Sequence, residues 1–108
     1  MASSALRCGF VGLGNMGAQL ANNLQRAGAV RVWDMSAEAV ARHADAYGTG
    51  TTAELQDLAD SDVVALCVPS LKQSRQVCET LVEGGLAAGT VLIDHTSGDP
   101  FLSWRRGP

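Results

Sequence analysis

The segment Gly12-Leu13-Gly14-Asn15-Met16-Gly17 has the spacing Gly-x-Gly-x-x-Gly, a weak signal alone in a chain with 12 glycines. Its context makes it strong. An apolar strand precedes it, a run with helical spacing follows it, and Asp34 stands about 20 residues further on, at the end of a second apolar strand. Together these are the parts of a dinucleotide site. Gly12 permits the tight turn, Gly14 lets the backbone approach a pyrophosphate, and Gly17 lets the helix pack closely on the strand. Leu13, Asn15 and Met16 complete the loop, and the helix N-terminus offers N–H groups and a positive dipole end to the phosphates. At Asp34 a carboxylate accepts from the adenosine ribose hydroxyls and repels a 2′-phosphate; the competing reading is a solvated aspartate opening a turn before Ser36. No basic residue follows directly, because Met35, Ser36 and Ala37 intervene, so NAD is expected over NADP. A P-loop is excluded, since no Gly-Lys-Ser/Thr follows the glycines.

The elements that must hold these residues are legible from periodicity. Leu6 to Val11 reads as a strand. Met16, Leu20, Ala21, Leu24 and Ala27 recur at three- and four-residue intervals as one helix face, stopped by Gly28. Ala29 to Trp33 is a second strand, and Ser36 caps a helix with Val40, Ala41 and Ala44 on one side. A short strand is predicted around Tyr47 to Thr49, and Thr51-x-x-Glu54 is a capping-box pattern opening a helix with Leu55, Leu58 and Ala59 inward. Asp60-Ser61-Asp62 breaks that helix. Val63 to Val68 lacks polar alternation, as a central parallel strand covered on both faces does. A helix from Leu71 to Glu83 puts Leu71, Ser74, Val77, Cys78 and Leu81 on one side and ends at Gly84-Gly85; Thr90 to Ile93 is one more buried strand, closing at Asp94. Five strands alternating with four helices predict an α/β fold: a Rossmann-type, doubly wound parallel sheet with right-handed crossovers.

Composition bounds the function. The 108 residues are 46% apolar and 18% charged, which describes one globular domain. The net charge of −3 and the lack of a basic cluster beyond Arg105-Arg106 argue against nucleic acid as a partner. Apolar runs fall well short of the ~20 residues that a membrane span needs. The N-terminus lacks a charged region followed by an apolar one, so the default compartment is the cytoplasm, with a mitochondrial parent left open. Cys8, Cys67 and Cys78 are odd in number and without Cys-x-x-Cys spacing; they read as small buried hydrophobes, and no metal site is expected.

Gly9-Phe10-Val11-Gly12-Leu13-Gly14-Asn15-Met16-Gly17, continued by Leu20-Ala21-x-Asn23-Leu24 and Ala27-Gly28, resembles the N-terminal signature of the β-hydroxyacid dehydrogenases. That family includes 3-hydroxyisobutyrate dehydrogenase, tartronate semialdehyde reductase and 6-phosphogluconate dehydrogenase. Two further stretches match it. Val64 to Pro69 resembles the family's strand ending in an apolar residue and proline, and Asp94-His95-Thr96-Ser97-Gly98-Asp99-Pro100 resembles its Asp-x-Ser-Thr-x-x-Pro segment with Thr and Ser exchanged. The resemblance implies that Gly12 to Gly17 hold the pyrophosphate, that Val68 and Pro69 line the adenosine or nicotinamide-ribose side, and that Gln73 reaches the cofactor. Thr96 and Ser97 would face the nicotinamide and the substrate, where hydroxyls that both donate and accept can orient a hydroxy acid; the plainer alternative is that they only turn a loop. His95 falls where the family places a variable residue.

The departures carry as much information. The family's general acid/base is a lysine beyond the Rossmann domain, and the single lysine here, Lys72, lies at the wrong place in order. The expectation is therefore a dinucleotide-binding domain over residues 1–100, a tail at 101–108 unlike the family, and no helical catalytic domain. Such a sheet would be incomplete at its C-terminus and would bind NAD without completing hydride transfer from a 3-hydroxy acid. A non-enzymatic NAD-binding regulatory module or short isoform is the alternative. An exposed edge at Thr90 to Ile93 would then invite self-association.

Overall fold

The computed structural model describes residues 6–95. Its strands are β1 (Cys8–Val11), β2 (Val30–Trp33), β3 (Gly50–Thr51), β4 (Val63–Leu66) and β5 (Val91–Asp94). Between them lie α1 (Asn15–Ala27), α2 (Ala37–Tyr47), a 3-10 helix (Leu55–Asp60) and α3 (Leu71–Glu83). All pairings are parallel and the spatial order is β3-β2-β1-β4-β5. The chain thus winds outward from β1 through β2 to β3, then returns to the far side of β1 for β4 and β5. The switch point falls between β1 and β4, so the crevice where such sheets bind ligands opens at their carboxyl ends.

Period-2 alternation builds a core on each face of the sheet. Phe10, Val30, Val32 and Ala65 pack with Leu13, Ala21 and Val40 on the side of α1 and α2. Val11, Val64 and Leu66 pack with Leu58, Ala59, Val77 and Leu81 on the side of the 3-10 helix and α3. Both faces of the central strands are covered, which is why Val63 to Leu66 shows no polar alternation. Among the described residues no helix is long and apolar enough to cross a membrane.

Several expectations are corrected. Tyr47 belongs to α2, which continues until Gly48 caps it at φ 73; the following strand is Gly50–Thr51 and not Tyr47 to Thr49. The capping box is formed by Glu54 and Asp57, three residues later than the Thr51 pattern, because Thr51 is engaged in β3 and a six-residue 3-10 helix starts only at Leu55. Of the four expected helices, three are α-helical and one is this 3-10 helix. On α1, Met16 and Ala27 are exposed while Ala21 is buried with half-buried Leu20 and Leu24. On α2, His43 takes the inward place expected of Ala41. On α3, Ser74, Val77 and Leu81 are buried and Leu71 and Cys78 only half-buried. Finally β5 is not buried: it pairs with β4 alone among the described residues, leaving Val91, Leu92 and Ile93 exposed.

At the opposite end of the sheet from the crevice, Arg31 on β2 bonds the Asp60 carboxylate and, at 2.9 Å, Ser61 Oγ, while Arg7 lies 3.4 Å from Asp60. The hydrogen bond from Arg31 holds the Asp60 carboxyl below its ordinary value of 3.8, with the nearby charges of Arg31 and Arg7 adding to it and partial desolvation opposing. A depressed folded-state pKa contributes stability that is complete above the unfolded value and is lost as pH falls through the folded one. Because the pair is solvent-exposed, Asp60→Asn is expected to cost under about 1 kcal/mol at neutral pH. Thermal melts from neutral to strongly acidic pH should show that difference shrinking as wild-type Asp60 protonates.

Candidate functional site

β1 ends at Val11 and the chain turns at Gly12, whose φ of 101 and N–H bonded to Trp33 O at 3.0 Å tie the turn to the end of β2. A Cβ at Gly12 would lie 2.1 Å from the Cys67 carbonyl oxygen beyond β4, and one at Gly17 would lie 2.0 Å from the Gly12 carbonyl oxygen. These two glycines let backbone meet backbone. Gly14 differs, because a Cβ there would meet nothing within 4 Å. The room beside Gly14 is open space at the mouth of a helix. As the N-cap of α1 it has no side chain to cap the first turn, and that turn carries no acidic residue. First-turn N–H groups and the positive dipole end therefore face outward toward any anion placed there.

A cleft of about 590 Å³ runs along this end of the sheet. It brings together Gly12, Gly14, Met16, Gly17, Asp34, Val68, Pro69 and Gln73, eight of the residues expected from sequence. Leu13 and Asn15 do not line it. The Leu13 side chain is buried in the core against α1 and α2, and its N–H donates to Asp34 Oδ2 at 2.7 Å; Asn15 is exposed as the first residue of α1. The other Asp34 oxygen accepts from the Ser36 N–H at 2.8 Å. One carboxylate thus ties the glycine loop to the start of α2, where Ser36 Oγ caps by accepting from the Ala39 N–H at 3.1 Å. Thr96 and Ser97 lie outside the described residues, as does the tail.

The cleft also contains residues that the sequence reading passed over. Trp33 and Met35 flank Asp34, Leu55 comes from the 3-10 helix, and Gln76, Val77 and Thr80 extend the Gln73 face of α3. The last three were accessible in principle, since they follow Gln73 at helical intervals. Mostly apolar walls with a carboxylate and an uncapped helix N-terminus suit a flat, partly apolar ligand carrying a diphosphate and vicinal hydroxyls. Among the described residues none lining the cleft is basic.

Cys67 lines the cleft just past β4, with its N–H on Val11 O at 2.9 Å and its thiol 3.9 Å from the His95 carbonyl oxygen. Burial, and then the nearby Asp94 carboxylate, push this thiol above its ordinary pKa, which favours the protonated form at neutral pH. None of Cys8, Cys67 and Cys78 is in a disulfide, and all three are half-buried. Among the described residues no group of three His, Cys, Asp or Glu side chains is arranged to hold a metal ion.

Comparison with known proteins adds the following. The family described as the NAD binding domain of 6-phosphogluconate dehydrogenase matches residues 7–106. The mitochondrial 3-hydroxyisobutyrate dehydrogenase of Drosophila melanogaster is 36% identical over 100 residues, which cover 91% of this chain and 31% of the fly protein. The 3-sulfolactaldehyde reductase of Escherichia coli K12 is 33% identical over 95 residues, covering 85% of this chain and 32% of that enzyme. Among solved structures, the Mycobacterium tuberculosis 3-hydroxyisobutyrate dehydrogenase with L-serine superposes with a TM-score of 0.74 at 30% identity, over 84% of this chain and 31% of that one. The chain spans about a third of the length of the curated relatives it matches.

Proposed function

This chain belongs to the family of NAD binding domains of 6-phosphogluconate dehydrogenase, and from that premise we propose that it is the nucleotide-holding part of an oxidoreductase acting on a small 3-hydroxy acid. It is an NAD-binding domain of the 3-hydroxyacid dehydrogenase family. The observation that carries the reading is the pairing, in one cleft, of the open Gly14 helix mouth with the Asp34 carboxylate. Gly12, Gly14 and the first turn of α1 would hold the pyrophosphate, and Asp34 would accept from the adenosine ribose while keeping both of its backbone bonds. NAD would supply the hydride acceptor. Val68 and Pro69 would shield the cofactor from water on the β4 side, and the absence of basic residues along the described cleft supports NAD over NADP.

A hydroxy acid that loses a hydride must also lose its hydroxyl proton, and general-base help with that step is typically worth ~10²- to 10⁴-fold. Lys72 is exposed on α3 and is not among the cleft-lining residues, so no lysine of this chain is offered for that role. Our proposal is that this chain binds NAD and does not turn over unaided. The test is thermal unfolding with NAD⁺ and with NADP⁺, for wild type and Asp34→Ala. A ligand present at ~100 times its Kd adds ~2.7 kcal/mol, so NAD⁺ should raise Tm by several degrees, NADP⁺ less, and neither should do so in the variant. No shift with either nucleotide sinks the reading, and NADH formation from 3-hydroxyisobutyrate by the chain alone would refute the non-catalytic part.

A further inference from the structure

A dinucleotide lies across the crevice at the carboxyl ends of the strands. With its adenosine ribose at Asp34, beside β2, and its pyrophosphate at α1, its nicotinamide half falls on the β4–β5 side. That side is held in an unusual way. β5 has one strand neighbour among the described residues, so its backbone ladder fixes it on one flank only. At its carboxyl end the backbone pairing with β4 is joined by side-chain ties. Ser74 on α3 is fully buried and donates from Oγ to Asp94 Oδ2 at 2.7 Å. The next residue, His95, donates its N–H to Leu66 O at 2.7 Å and accepts from the Cys67 thiol at 3.9 Å. Gln73 and Val77, on either side of Ser74 in α3, both line the cleft, and so does Cys67.

Resting on the functional reading above, we propose that Asp94 is a positioning residue for the nicotinamide half: its carboxylate, latched to Ser74, fixes the end of β5 against the α3 wall of the cleft. A hydrogen bond to an ionised carboxylate is shorter and about twice as strong as a neutral one, which suits a tie between a strand and the helix packed beside it. Asp94 acts by holding the end of β5 and needs no contact with the cofactor itself.

The experiment titrates NADH and ADP-ribose into the full chain and into Ser74→Ala, Asp94→Ala and Asp94→Asn, following both affinity and dihydronicotinamide emission. In wild type, bound NADH should show the enhanced, blue-shifted emission of a held ring. Ser74→Ala and Asp94→Ala should lose most of that enhancement while ADP-ribose affinity changes by less than about twofold, as expected of distant and independent sites. Asp94→Asn should recover it, because its amide oxygen still accepts from Ser74. Unchanged emission in both alanine variants overturns the latch, as does equal weakening of NADH and ADP-ribose, which would mark a general structural role. Wild type binding NADH without enhanced emission overturns it too. A wild-type chain that binds neither ligand overturns the functional reading as well, so the two failures are distinct.

Discussion

Gly12→Ala is expected to abolish or severely lower the cooperative thermal transition, whereas Gly14→Ala should melt within a few degrees of wild type and fail only to bind NAD. The two glycines sit two residues apart in one loop and do opposite things. Gly12 has φ 101, and its added methyl would stand 2.1 Å from a backbone oxygen that cannot rotate away. That oxygen belongs to Cys67, whose N–H is already bonded to Val11 O, so relief would mean parting β1 from the segment after β4. Left-handed strain of ~1–2 kcal/mol plus a backbone clash reaches about 3 kcal/mol or more, against a typical domain stability of 5–15 kcal/mol. Gly17→Ala should act in the same direction, since its methyl would meet the Gly12 carbonyl oxygen at 2.0 Å. At Gly14 the backbone is φ −67 and the space is free, so a methyl fits the protein and fills the place of the phosphates. Circular-dichroism melts with and without NAD⁺ separate the two outcomes; a Gly14→Ala chain that binds NAD⁺ normally would mean that no pyrophosphate approaches there.

What the sequence made legible follows from the strength of its local signals. The α3 boundaries came out as Leu71 and Glu83 because the apolar spacing and the Gly84-Gly85 stop agree; Ser70, a cue the sequence reading did not use, caps the helix by accepting from the Gln73 N–H. The β3 region did not, because two competing cues overlap: Tyr47 and Thr49 have strand propensity, but α2 keeps its hydrogen bonds until Gly48 supplies the left-handed turn. The capping box failed for a related reason. Thr51 and Glu54 have the right spacing, yet pairing with Val32 commits Thr51 to the sheet and passes the cap to Glu54 and Asp57. The apolar run Val91 to Ile93 reads locally as a buried strand, and its exposure was legible only from the topology, as the edge expected where no sixth strand follows.

The site divides in the same way. Glycine spacing and the terminal carboxylate of β2 are backbone-level requirements, so Gly12, Gly14, Gly17 and Asp34 were readable one by one. Leu13 was named with them because loop membership was equated with contact. Its side chain instead fills the core, while its N–H is spent on Asp34. Trp33 and Met35 reach the cleft from the end of β2 and the turn after it, Leu55 from the 3-10 helix, and only the assembled fold brings these together.

His43 escaped the periodicity argument altogether, and replacing it should produce the second large effect. The ring is 4% exposed, with Nε2 at 2.9 Å from Ala18 O, Nδ1 at 3.0 Å from Thr49 Oγ1, and its face tilted against Tyr47 at 4.6 Å. A carbonyl oxygen only accepts, so Nε2 carries the hydrogen, and in the neutral ring Nδ1 accepts from the Thr49 hydroxyl. One side chain therefore binds α2 to the first turns of α1 and to the approach to β3. Ala18 directly follows Gly17, so the bond also braces from behind the helix mouth that faces the cleft. His43→Leu keeps much of the volume, removes both bonds and leaves the buried Thr49 hydroxyl without this partner, a loss of about 2–3 kcal/mol in which the stranded polar group is the larger part. Adding Thr49→Val to His43→Leu should recover a good part of that, because replacing both partners by apolar groups of similar shape can be nearly neutral. Denaturant midpoints for the four chains of this cycle decide the matter: a His43→Leu chain as stable as wild type, or a double variant no better than the single one, would mean that the buried ring is held for its shape and not for its hydrogen bonds.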